Sequence, residues 1–475
     1  MAINLVFAKK FAAEQALRQI LRYLEKDPEK NFDKILNFAD KIAQTEKHHQ
    51  EIAAIRENYY NSPLIKKYIQ KLSKIAPSYK DGLILNFFIN SALMGIPRQL
   101  QIAQEIGNSV PWTILIDPTS ACNLNCIGCW AGKYKKSDSL DLSTINRIIE
   151  EAKKMGIYFI VLSGGEPTVY PGLFDIFEKH QDVGFMMYTN GTLIDDKMAD
   201  KMLEVGNITP AISLEGFRES TDIRRGEGVY DKIMAAMDRL SARGIIFGFS
   251  ITVTRQNAEE LFGVDDFIDH MIEKGALYGW FFHYIPIGKD TDIEMMITSE
   301  QRVKLAYRIP EIRNKKPIFL ADFWNDGTFT GGCIAAGRRY FHINAKGDVE
   351  PCAFVHFATD NIRGKSLREI LQNPLFRYYQ KCQPFSSNLM TPCPIIDHPS
   401  RLRDIVIKSG AKPTHAGAGS VLTGKIADFL DDHSRIWREK SKPINIERKK
   451  KREESIKIYE KKKNKKRHYE TVNFK

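Results

Sequence analysis

The sequence lacks an uninterrupted apolar segment of the length that crosses a membrane. A spanning helix needs about 20 predominantly apolar residues. The longest apolar stretch, residues 82–96, is shorter and contains Asn86, Asn90 and Ser91. A secretory signal is not expected either, because Lys9 and Lys10 follow the first apolar run instead of preceding it. The sequence therefore predicts a cytoplasmic protein without spanning helices. The stretch 82–96 has two open interpretations, a buried helix or a lipid-facing element at a membrane surface.

The net charge is also small outside one segment, residues 447–475. Hydrophobic residues make up 43% and charged residues 27% of the chain, which excludes a disordered chain and a small disulfide scaffold. Of the net charge of +12, residues 447–475 contribute +8, with 13 basic and 5 acidic residues. Such a tail is typical of a solvated helix end, and contact with an anionic membrane surface is the alternative. Nucleic acid is not expected as a partner.

Short apolar runs alternate with amphipathic stretches from about residue 111 onward. The first 105 residues instead show helical spacing, with breaks at Ser62-Pro63 and Pro77-Ser78. The alternation indicates parallel strands with helices on their outer face, an α/β fold. The predicted strands are 113–116, 158–162, 184–188, 209–213, 245–252 and 280–285. The predicted helices are 143–155, 172–180, 195–205, 230–243, 258–273 and 298–309.

Chemically suggestive residues follow these predicted strands. In parallel α/β sheets, the functional site forms at the carboxyl ends of the strands. Three cysteines follow the first strand, Gly164-Gly165-Glu166-Pro167 follows the second, and Asn190 follows the third. Ser213 and Glu215 end the fourth. The sequence therefore predicts that these residues share one site.

The cysteines fall into two groups. There are seven, an odd number that cannot all pair as disulfides within the chain. Cys122, Cys126 and Cys129 form the spacing C-x₃-C-x₂-C. Three thiolates leave one iron of a 4Fe–4S cube without a protein ligand. A structural zinc site usually needs four protein ligands, and no fourth is near in sequence. This group therefore predicts an open 4Fe–4S cluster.

The triplet and the motifs after it resemble the radical S-adenosylmethionine (radical SAM) superfamily. The resemblance implies a partial (β/α)6, TIM-like barrel over residues 111–315, behind a helical N-terminal region, 1–105. It also implies that the three cysteines bind the cluster and that the Gly164-Gly165-Glu166-Pro167 backbone meets the amino group of S-adenosylmethionine.

Further cofactor contacts are implied by the same resemblance. Ser213 and Glu215 correspond to positions that contact ribose or carboxylate. Arg225, in Asp222-x-x-Arg225-Gly226, can pair with the methionyl carboxylate through a bidentate fork. Asn190 and the turn beginning at Pro286 match weaker positions on the cofactor side. The chain departs from the family at residue 128, where many members have an aromatic residue. Here Gly128 precedes the third cysteine, and Trp130 follows it.

The second cysteine group comprises Cys333, Cys352, Cys382 and Cys393. The segment Gly347-Asp348-Val349-Glu350-Pro351-Cys352 resembles the C-terminal extension called SPASM, or its shortened relative, the twitch domain. The resemblance implies one fully ligated auxiliary 4Fe–4S cluster in residues 316–396, with a role in electron relay or local structure. Four cysteines also suit zinc, so that alternative stays open. A helical or irregular extension, 397–446, and the basic tail, 447–475, complete the expected domains.

The resemblance implies reductive cleavage of S-adenosylmethionine to a 5′-deoxyadenosyl radical, which abstracts hydrogen from a substrate. The implied electron donor is of the flavodoxin or ferredoxin type. The expected substrate is a peptide or protein side chain. The alternatives are a lipid or membrane-associated small molecule, or an iron–sulfur electron-transfer protein without radical chemistry. The sequence does not single out a catalytic acid or base among Asp322, Glu300 and Asp326.

Overall fold

The structure is a computed structural model that describes residues 14–15, 17–19, 28–42, 46–61, 63–263 and 265–472. Its N-terminal part is helical, as the sequence predicted, with helices Pro28–Ile42, Glu46–Asn61 and Pro63–Ser73. Helical segments Pro77–Tyr79, Lys80–Ile84, Asn86–Gly95 and Ile96–Ile106 follow in close succession. The helix breaks fall at Pro63 and Pro77, as expected from the missing amide hydrogen of proline.

Seven parallel strands form the centre of the molecule, in the order β7-β6-β5-β4-β3-β2-β1. Their bounds are β1 Ile114–Ile116, β2 Phe159–Leu162, β3 Gly184–Thr189, β4 Ile208–Leu214, β5 Gly248–Val253, β6 Tyr278–His283 and β7 Phe319–Asp322. The first six confirm the predicted strands, with ends shifted by at most three residues. The seventh strand, β7, pairs in parallel with β6.

Helices connect the strands, and their order confirms the predicted α/β alternation. They are Leu142–Lys154, Leu173–Lys179, Asp196–Val205, Arg218–Arg225, Val229–Ala242, Ala258–Phe262, Asp266–Glu273 and Ser299–Lys315. The predicted helix 258–273 is divided in two, with Gly263 ending its first part. Within the described residues β1 and β7 are not paired with each other, so the barrel is partial and is open at the edge of β7.

The helical segment before β1 covers the amino ends of the strands. Asn86 and Asn90 donate to the carbonyls of Gln181 and Asp182, which directly precede β3 (2.7 and 2.9 Å). Gln99 donates to the Gly156 carbonyl ahead of β2 (2.8 Å). The polar residues that interrupt the longest apolar stretch therefore attach this segment to the barrel. One side of the stretch is buried, whereas Phe87 and Phe88 on the other side are exposed.

The C-terminal part adds to the β1 side of the barrel. Strand β8 (His342–Ile343) pairs in parallel with β1, and β9 (Val349–Glu350) pairs antiparallel with β8. A separate two-stranded ribbon pairs β10 (Phe357–Ala358) with β11 (Lys412–Pro413). Short helical turns occur at Pro167–Val169, Ile293–Met295, Gly327–Thr330, Ile362–Gly364, Leu367–Ile370 and Ala418–Val421. The longer C-terminal helices are Pro374–Cys382, Pro399–Ser409 and Lys425–Val472. The side chains of the lysine run 461–467 lie outside the described residues.

A buried ion-pair network joins the barrel to the C-terminal part. His342 of β8 lies between two carboxylates, with Nε2 2.9 Å from Asp117 Oδ2 and Nδ1 2.7 Å from Glu350 Oε2. Tyr134 donates to the other oxygen of Glu350 (2.8 Å). Burial disfavours the charged imidazole, but Asp117 and Glu350 outweigh it and raise the pKa of His342 to about 10. The network therefore holds the end of β1 against β8 and β9.

A second buried pair supports the segment that carries Cys393. Arg302 and Asp397 are fully buried, with Arg302 Nη1 2.6 Å from Asp397 Oδ1. The second carboxylate oxygen of Asp397 accepts from the Cys393 amide (2.9 Å). The Arg302 guanidinium also lies 4.0 Å from the ring centroid of Trp437 in the C-terminal helix. Arg302 thus links the helix Ser299–Lys315, on which it lies, to the Cys393 loop and to the C-terminal helix.

Replacing Arg302 with Met should reduce the free energy of unfolding by about 3–5 kcal/mol, because Asp397 would remain buried without its partner. Denaturant titration measures this change. Lys304→Met on the same helix is the matched control. It breaks an exposed pair with Glu259, which contributes about 0–1 kcal/mol. Equal losses in the two variants would contradict the role of the buried pair.

The stabilisation from His342 should depend on pH. The folded-state pKa of about 10 exceeds the unfolded value of about 6.5. The stabilising contribution is therefore complete below about pH 6.5 and is lost as the pH rises through about 10. The difference in free energy of unfolding between the wild type and His342→Gln should shrink from pH 6 to pH 10. Urea titrations across this range measure it, and a constant difference would contradict a charged His342.

Candidate functional site

The partial barrel encloses a cavity of about 1360 Å³. At the carboxyl ends of the strands, it is lined by Cys122, Cys126, Cys129, Gly164, Gly165, Glu166, Thr189, Asn190, Ser213, Arg224, Arg225, Thr252, His283 and Tyr284. These residues come from loops that are far apart in sequence, and the parallel strands bring their ends together. All three cysteines of the triplet and the Gly164-Gly165 turn therefore face one space.

The cysteine loop is held between two backbone turns. A Cβ at Gly165 would lie 2.1 Å from the carbonyl oxygen of Ala121, directly before Cys122. On the opposite side, a Cβ at Gly288 would lie 2.4 Å from the carbonyl oxygen of Cys129. Real side chains essentially never pack this closely. The loop therefore reaches its position because both turns present only backbone to it.

The three thiols lie close enough to influence one another. Cys122 Sγ accepts from the Leu124 amide (3.4 Å). Burial, followed by smaller effects that include Cys126 and Cys129, raises the pKa of Cys122 to about 11. Burial and Cys126 also raise the pKa of Cys129, against the charges of Arg224 and Arg225. Thiolates beside two largely buried arginines suit a metal cluster of net negative charge.

Among the described residues, no three His, Cys, Asp or Glu side chains converge on a point that would hold a single metal ion. A cube does not require such convergence, because each thiolate binds a different iron. Cys122, Cys126 and Cys129 thus fit a 4Fe–4S cluster that keeps one iron open toward the cavity. Such a cluster, when bound together with S-adenosylmethionine, supplies reductive cleavage of the sulfonium carbon–sulfur bond.

Glu166 holds the Gly164-Gly165 turn against the end of β3 through hydrogen bonds. Its carboxylate accepts from Thr168 N, Thr189 Oγ1 and the Asn190 amide at 3.0, 2.7 and 2.7 Å. Burial raises the pKa of Glu166, and these hydrogen bonds oppose that shift. Glu166 therefore positions two strand-end turns, and Pro167 begins the helical turn that follows. The Gly164 and Gly165 backbone faces the cavity.

Glu215 is buried beside two arginines of the helix Arg218–Arg225. Arg225 Nε donates to Glu215 Oε1 (2.8 Å), and Arg224 forms a second ion pair with the same oxygen. The other oxygen, Oε2, is buried and has no hydrogen-bond partner within the described part of the chain. Arg224 and Arg225 line the cavity, whereas Glu215 is not among the lining residues. An anionic ligand in the cavity would therefore meet the arginines, with Glu215 orienting them behind.

Of the remaining predicted cofactor residues, two line the cavity and one lies behind its wall. Asn190 and Ser213 line the cavity, and Ser213 shares a hydrogen bond with Ser250 (2.9 Å). Pro286 lies behind the lining residue Ile285, in the turn that packs on the cysteine loop. The structure thus brings Asn190 and Ser213 to the same space as the cysteines.

An aromatic residue missing from the sequence motif is supplied by another strand. Gly128 has φ +63°, and a Cβ there would lie 2.7 Å from Cε2 of Tyr284. Tyr284 follows β6 and lines the cavity. Trp130 also lines it and packs near His342, His356 and Phe354 of the C-terminal part. Tyr284 was missed because its proximity to Gly128 depends on the barrel and leaves no local signal.

His283, at the end of β6, is a second residue that the sequence did not single out. It lines the cavity, and neither ring nitrogen has a hydrogen-bond partner among the described residues. Burial lowers the pKa of His283 well below its usual value. Its Nε2 lies 3.6 Å from Asp322, whose pKa is raised to about 6, first by burial. Of the three candidate acids or bases, Asp322 is thus the one next to the cavity.

The other two candidates form ion pairs away from this space. Glu300 Oε1 lies 2.8 Å from Lys440 Nζ. Asp326 accepts from Arg313 Nη1 (3.0 Å) and does not line the cavity.

Cys333, Cys352 and Cys393 of the second cysteine group lie near Tyr379. Tyr379 Oη lies 3.7 Å from Cys333 Sγ, and the charges of Cys333, Cys352 and Cys393 add to burial in raising its pKa. Cys382 lies three residues after Tyr379, on the same face of the helix Pro374–Cys382. Burial raises the pKa of Cys352 to about 12. Four thiols grouped in this way fit a fully ligated iron–sulfur cluster.

Comparison with known protein families supports the interpretation of both cysteine groups as iron–sulfur sites. Residues 116–268 match the model of the Radical SAM superfamily. Residues 333–394 match the SPASM model, described as an iron–sulfur cluster-binding domain. Among the described residues, no helix combines the length and apolarity needed to span a membrane.

Known relatives share the same region. The mycofactocin maturase MftC of Mycobacterium tuberculosis is 29% identical over 56% of this chain and 71% of its own length. An AdoMet-dependent heme synthase of Methanosarcina barkeri is 26% identical over 56% of this chain and 83% of its own. The solved structure of Streptococcus suis SuiB bound to its precursor peptide SuiA aligns with a TM-score of 0.53 at 20% identity, covering 63% of this chain and 75% of that chain. This structure supports the barrel fold.

The family matches confirm the resemblance that the cysteine triplet and the glycine turn predicted. They also confirm the two kinds of cofactor, a 4Fe–4S cluster with S-adenosylmethionine and an auxiliary iron–sulfur cluster. Residues 116–268 thus match the radical SAM superfamily and residues 333–394 the SPASM domain, and the chain is an iron–sulfur enzyme of this kind.

Proposed function

We propose that this enzyme uses S-adenosylmethionine, bound beside Cys122, Cys126 and Cys129, to abstract hydrogen from an aliphatic carbon of a substrate inside the barrel. The observation that carries the proposal is that the three thiols and the Gly164-Gly165 turn face one cavity. The cavity continues beyond them between the strands, which leaves room for a second molecule.

The chain's own residues would orient the cofactor. Backbone carbonyls of the Gly164-Gly165 turn can accept from its ammonium group, and Arg225 can pair with its carboxylate. Asn190 and Ser213 offer hydrogen bonds to its ribose. Tyr284, in the place of the missing aromatic residue, can pack against its adenine. The apolar barrel wall behind these groups excludes water from a reactive radical.

A peptide or protein side chain is the substrate class that the relatives support. MftC and the sporulation killing factor maturation protein SkfB of Bacillus subtilis are both named for maturation, and the SuiB structure holds a precursor peptide. In a reaction of this kind, one side chain would extend from the peptide toward the cysteine loop.

A lipid chain is the second candidate, and one observation favours it. The cavity does not end below the cysteine loop but continues to the amino ends of the strands, where Phe87, Phe88 and Leu100 line it and are exposed at the surface. A peptide side chain would fill only the upper part of so long a space.

The cluster bound by the auxiliary cysteines would relay electrons or stabilise the domain. A low-potential donor of the flavodoxin or ferredoxin type would supply the electrons. The metal bound by the auxiliary cysteines would be iron, with zinc as the alternative. Asp322 with His283 is the pair best placed to accept a proton from a substrate in the cavity.

Iron content should separate the two cysteine groups. Anaerobically reconstituted protein should hold about eight irons per chain if both groups bind 4Fe–4S cubes. The Cys122/Cys126/Cys129→Ala variant should hold about four, since the second group is unchanged. Iron and zinc analysis measures both. Zinc in place of the remaining iron would refute the auxiliary iron–sulfur cluster.

Turnover should separate an enzyme from an electron-transfer protein. With dithionite and S-adenosylmethionine, the wild type should form 5′-deoxyadenosine, and the triple variant should form none. Cys393→Ala serves as the control, because it leaves the triplet intact and should retain uncoupled cleavage. Cluster reduction without 5′-deoxyadenosine in the wild type would refute the proposed function.

A further inference from the structure

The half of the cavity farthest from the cysteine loop has an apolar wall. Its lining comes from the amino halves of the strands and from the helical segment before β1. The apolar residues that line it are Leu83, Ile84, Phe87, Phe88, Ile96, Leu100, Ala103, Trp112, Leu115, Phe159, Val161, Met186, Trp280 and Phe319. Interiors of (β/α) barrels are normally filled by side chains. Here the space continues from the cluster end to the surface at the opposite end.

Most polar groups of this half already have partners. Thr209 Oγ1 hydrogen-bonds to the Ile246 carbonyl and to the Tyr278 hydroxyl (2.9 and 2.8 Å). Among the described lining residues here, Thr113 Oγ1 and Trp280 Nε1 are the buried side-chain atoms without a partner. An extended peptide brings one N–H and one C=O with every residue, and leaving them unpaired is costly. A hydrocarbon chain brings none.

The whole cavity, from its amino end to the cysteine loop, is about as long as one lipid tail. Tyr278 and His283, the first and last residues of β6, both line the cavity. Five steps of about 3.3 Å separate them, or about 16 Å along the strand. A bilayer hydrocarbon core of about 30 Å contains two tails end to end, so one tail spans about 15 Å.

The open seam between β7 and β8, which pairs with the outer edge of β1, gives this space a basic edge. Phe319 and Phe329 are 54% and 68% exposed on the β7 side. Arg338, Arg339 and Arg452 line the cavity there. Arg338 and Arg452 donate to backbone carbonyls. In the described part of the chain, none of the three arginines forms a salt bridge with a carboxylate, so their positive charge is available to an anion.

We infer that the apolar half of the barrel binds a long alkyl chain whose anionic head group lies at the seam arginines, and that this lipid is the substrate. The inference rests on the proposed function for its chemistry. The chain would run from the seam toward the cysteine loop, so that a carbon remote from the head group reaches the radical. The relatives' peptide substrates make a peptide in this space the competing outcome.

Binding can be measured without turnover, because Trp112, Trp130 and Trp280 line the cavity. Bromine on an alkyl chain quenches tryptophan fluorescence at contact. The probes are lysophosphatidylglycerol and palmitate, each with a 16-carbon chain brominated near its middle. We expect saturable quenching by both, reduced by Trp280→Phe. A six-carbon analogue should bind at least 100-fold more weakly, since each buried methylene contributes about 0.8 kcal/mol. Tighter binding of one probe would assign a phosphate or a carboxylate head group.

Two surface substitutions test where the alkyl chain and its head group lie, and both should leave the fold intact. Leu100→Glu places a charge at the exposed end of the apolar wall and should weaken binding at least tenfold. Ile407→Glu is its control, because Ile407 is more exposed and does not line the cavity. Arg339→Glu should weaken binding of both anionic probes about tenfold. Its control is Arg435→Glu, an exposed site on the C-terminal helix.

Equal affinity for the 6- and 16-carbon probes would overturn the inference, as would unchanged binding by both Leu100→Glu and Arg339→Glu. Protection of the tryptophans by a ten-residue apolar peptide would overturn it in favour of a peptide occupant. The proposed function can fail separately. Normal 5′-deoxyadenosine formation without probe binding would refute the lipid alone, and chain-length-dependent binding without 5′-deoxyadenosine would refute the radical chemistry alone.

Discussion

The close backbone packing of the cysteine loop is the constraint on which the site depends. Gly165 on one side and Gly288 on the other approach carbonyl oxygens at distances that no side chain would allow. Because both turns belong to barrel strands, the thiols are fixed relative to the whole sheet. Asn190, Ser213 and Arg225 come from other strand ends and loops but line the same cavity as the thiols. The position of the cysteine loop relative to these residues is therefore set by the sheet.

The two cysteine groups are linked through charge as well as through the chain. His342 lies between Asp117, five residues before Cys122, and Glu350, two residues before Cys352. Removing one partner from such a buried arrangement leaves an uncompensated charge, which is costly. The network therefore fixes the distance between the two cluster domains, and that distance matters for any electron transfer between them. Trp130, next to Cys129, and Tyr340, close to Cys333 and Cys352, both line the cavity.

The cavity connects these features to the choice of substrate. Its upper half is lined by the three cysteines and by polar residues, whereas its lower half is apolar and opens beside Phe87, Phe88 and Leu100. The apolar stretch 82–96 thus has a mixed role. Leu83, Leu85 and Ile89 are buried, and Asn86 and Asn90 attach the stretch to the barrel, while its phenylalanines border the opening. Neither a wholly buried helix nor a purely lipid-facing one describes it.

The sequence by itself determined the positions of the strands, the cysteine triplet and the glycine turn, because each depends on residues close together along the chain. Hydrophobic periodicity placed six strands and the N-terminal helices correctly, but it did not reveal that Gly263 divides the helix predicted over 258–273. Tertiary structure alone decided that Tyr284 fills the space beside Gly128 and that His283 lies next to Asp322. Tertiary structure likewise decided that Glu166 holds two strand-end turns together by hydrogen bonds. It also decided that the barrel remains open through its length. These features depend on contacts between strands distant in sequence, for which no local pattern exists.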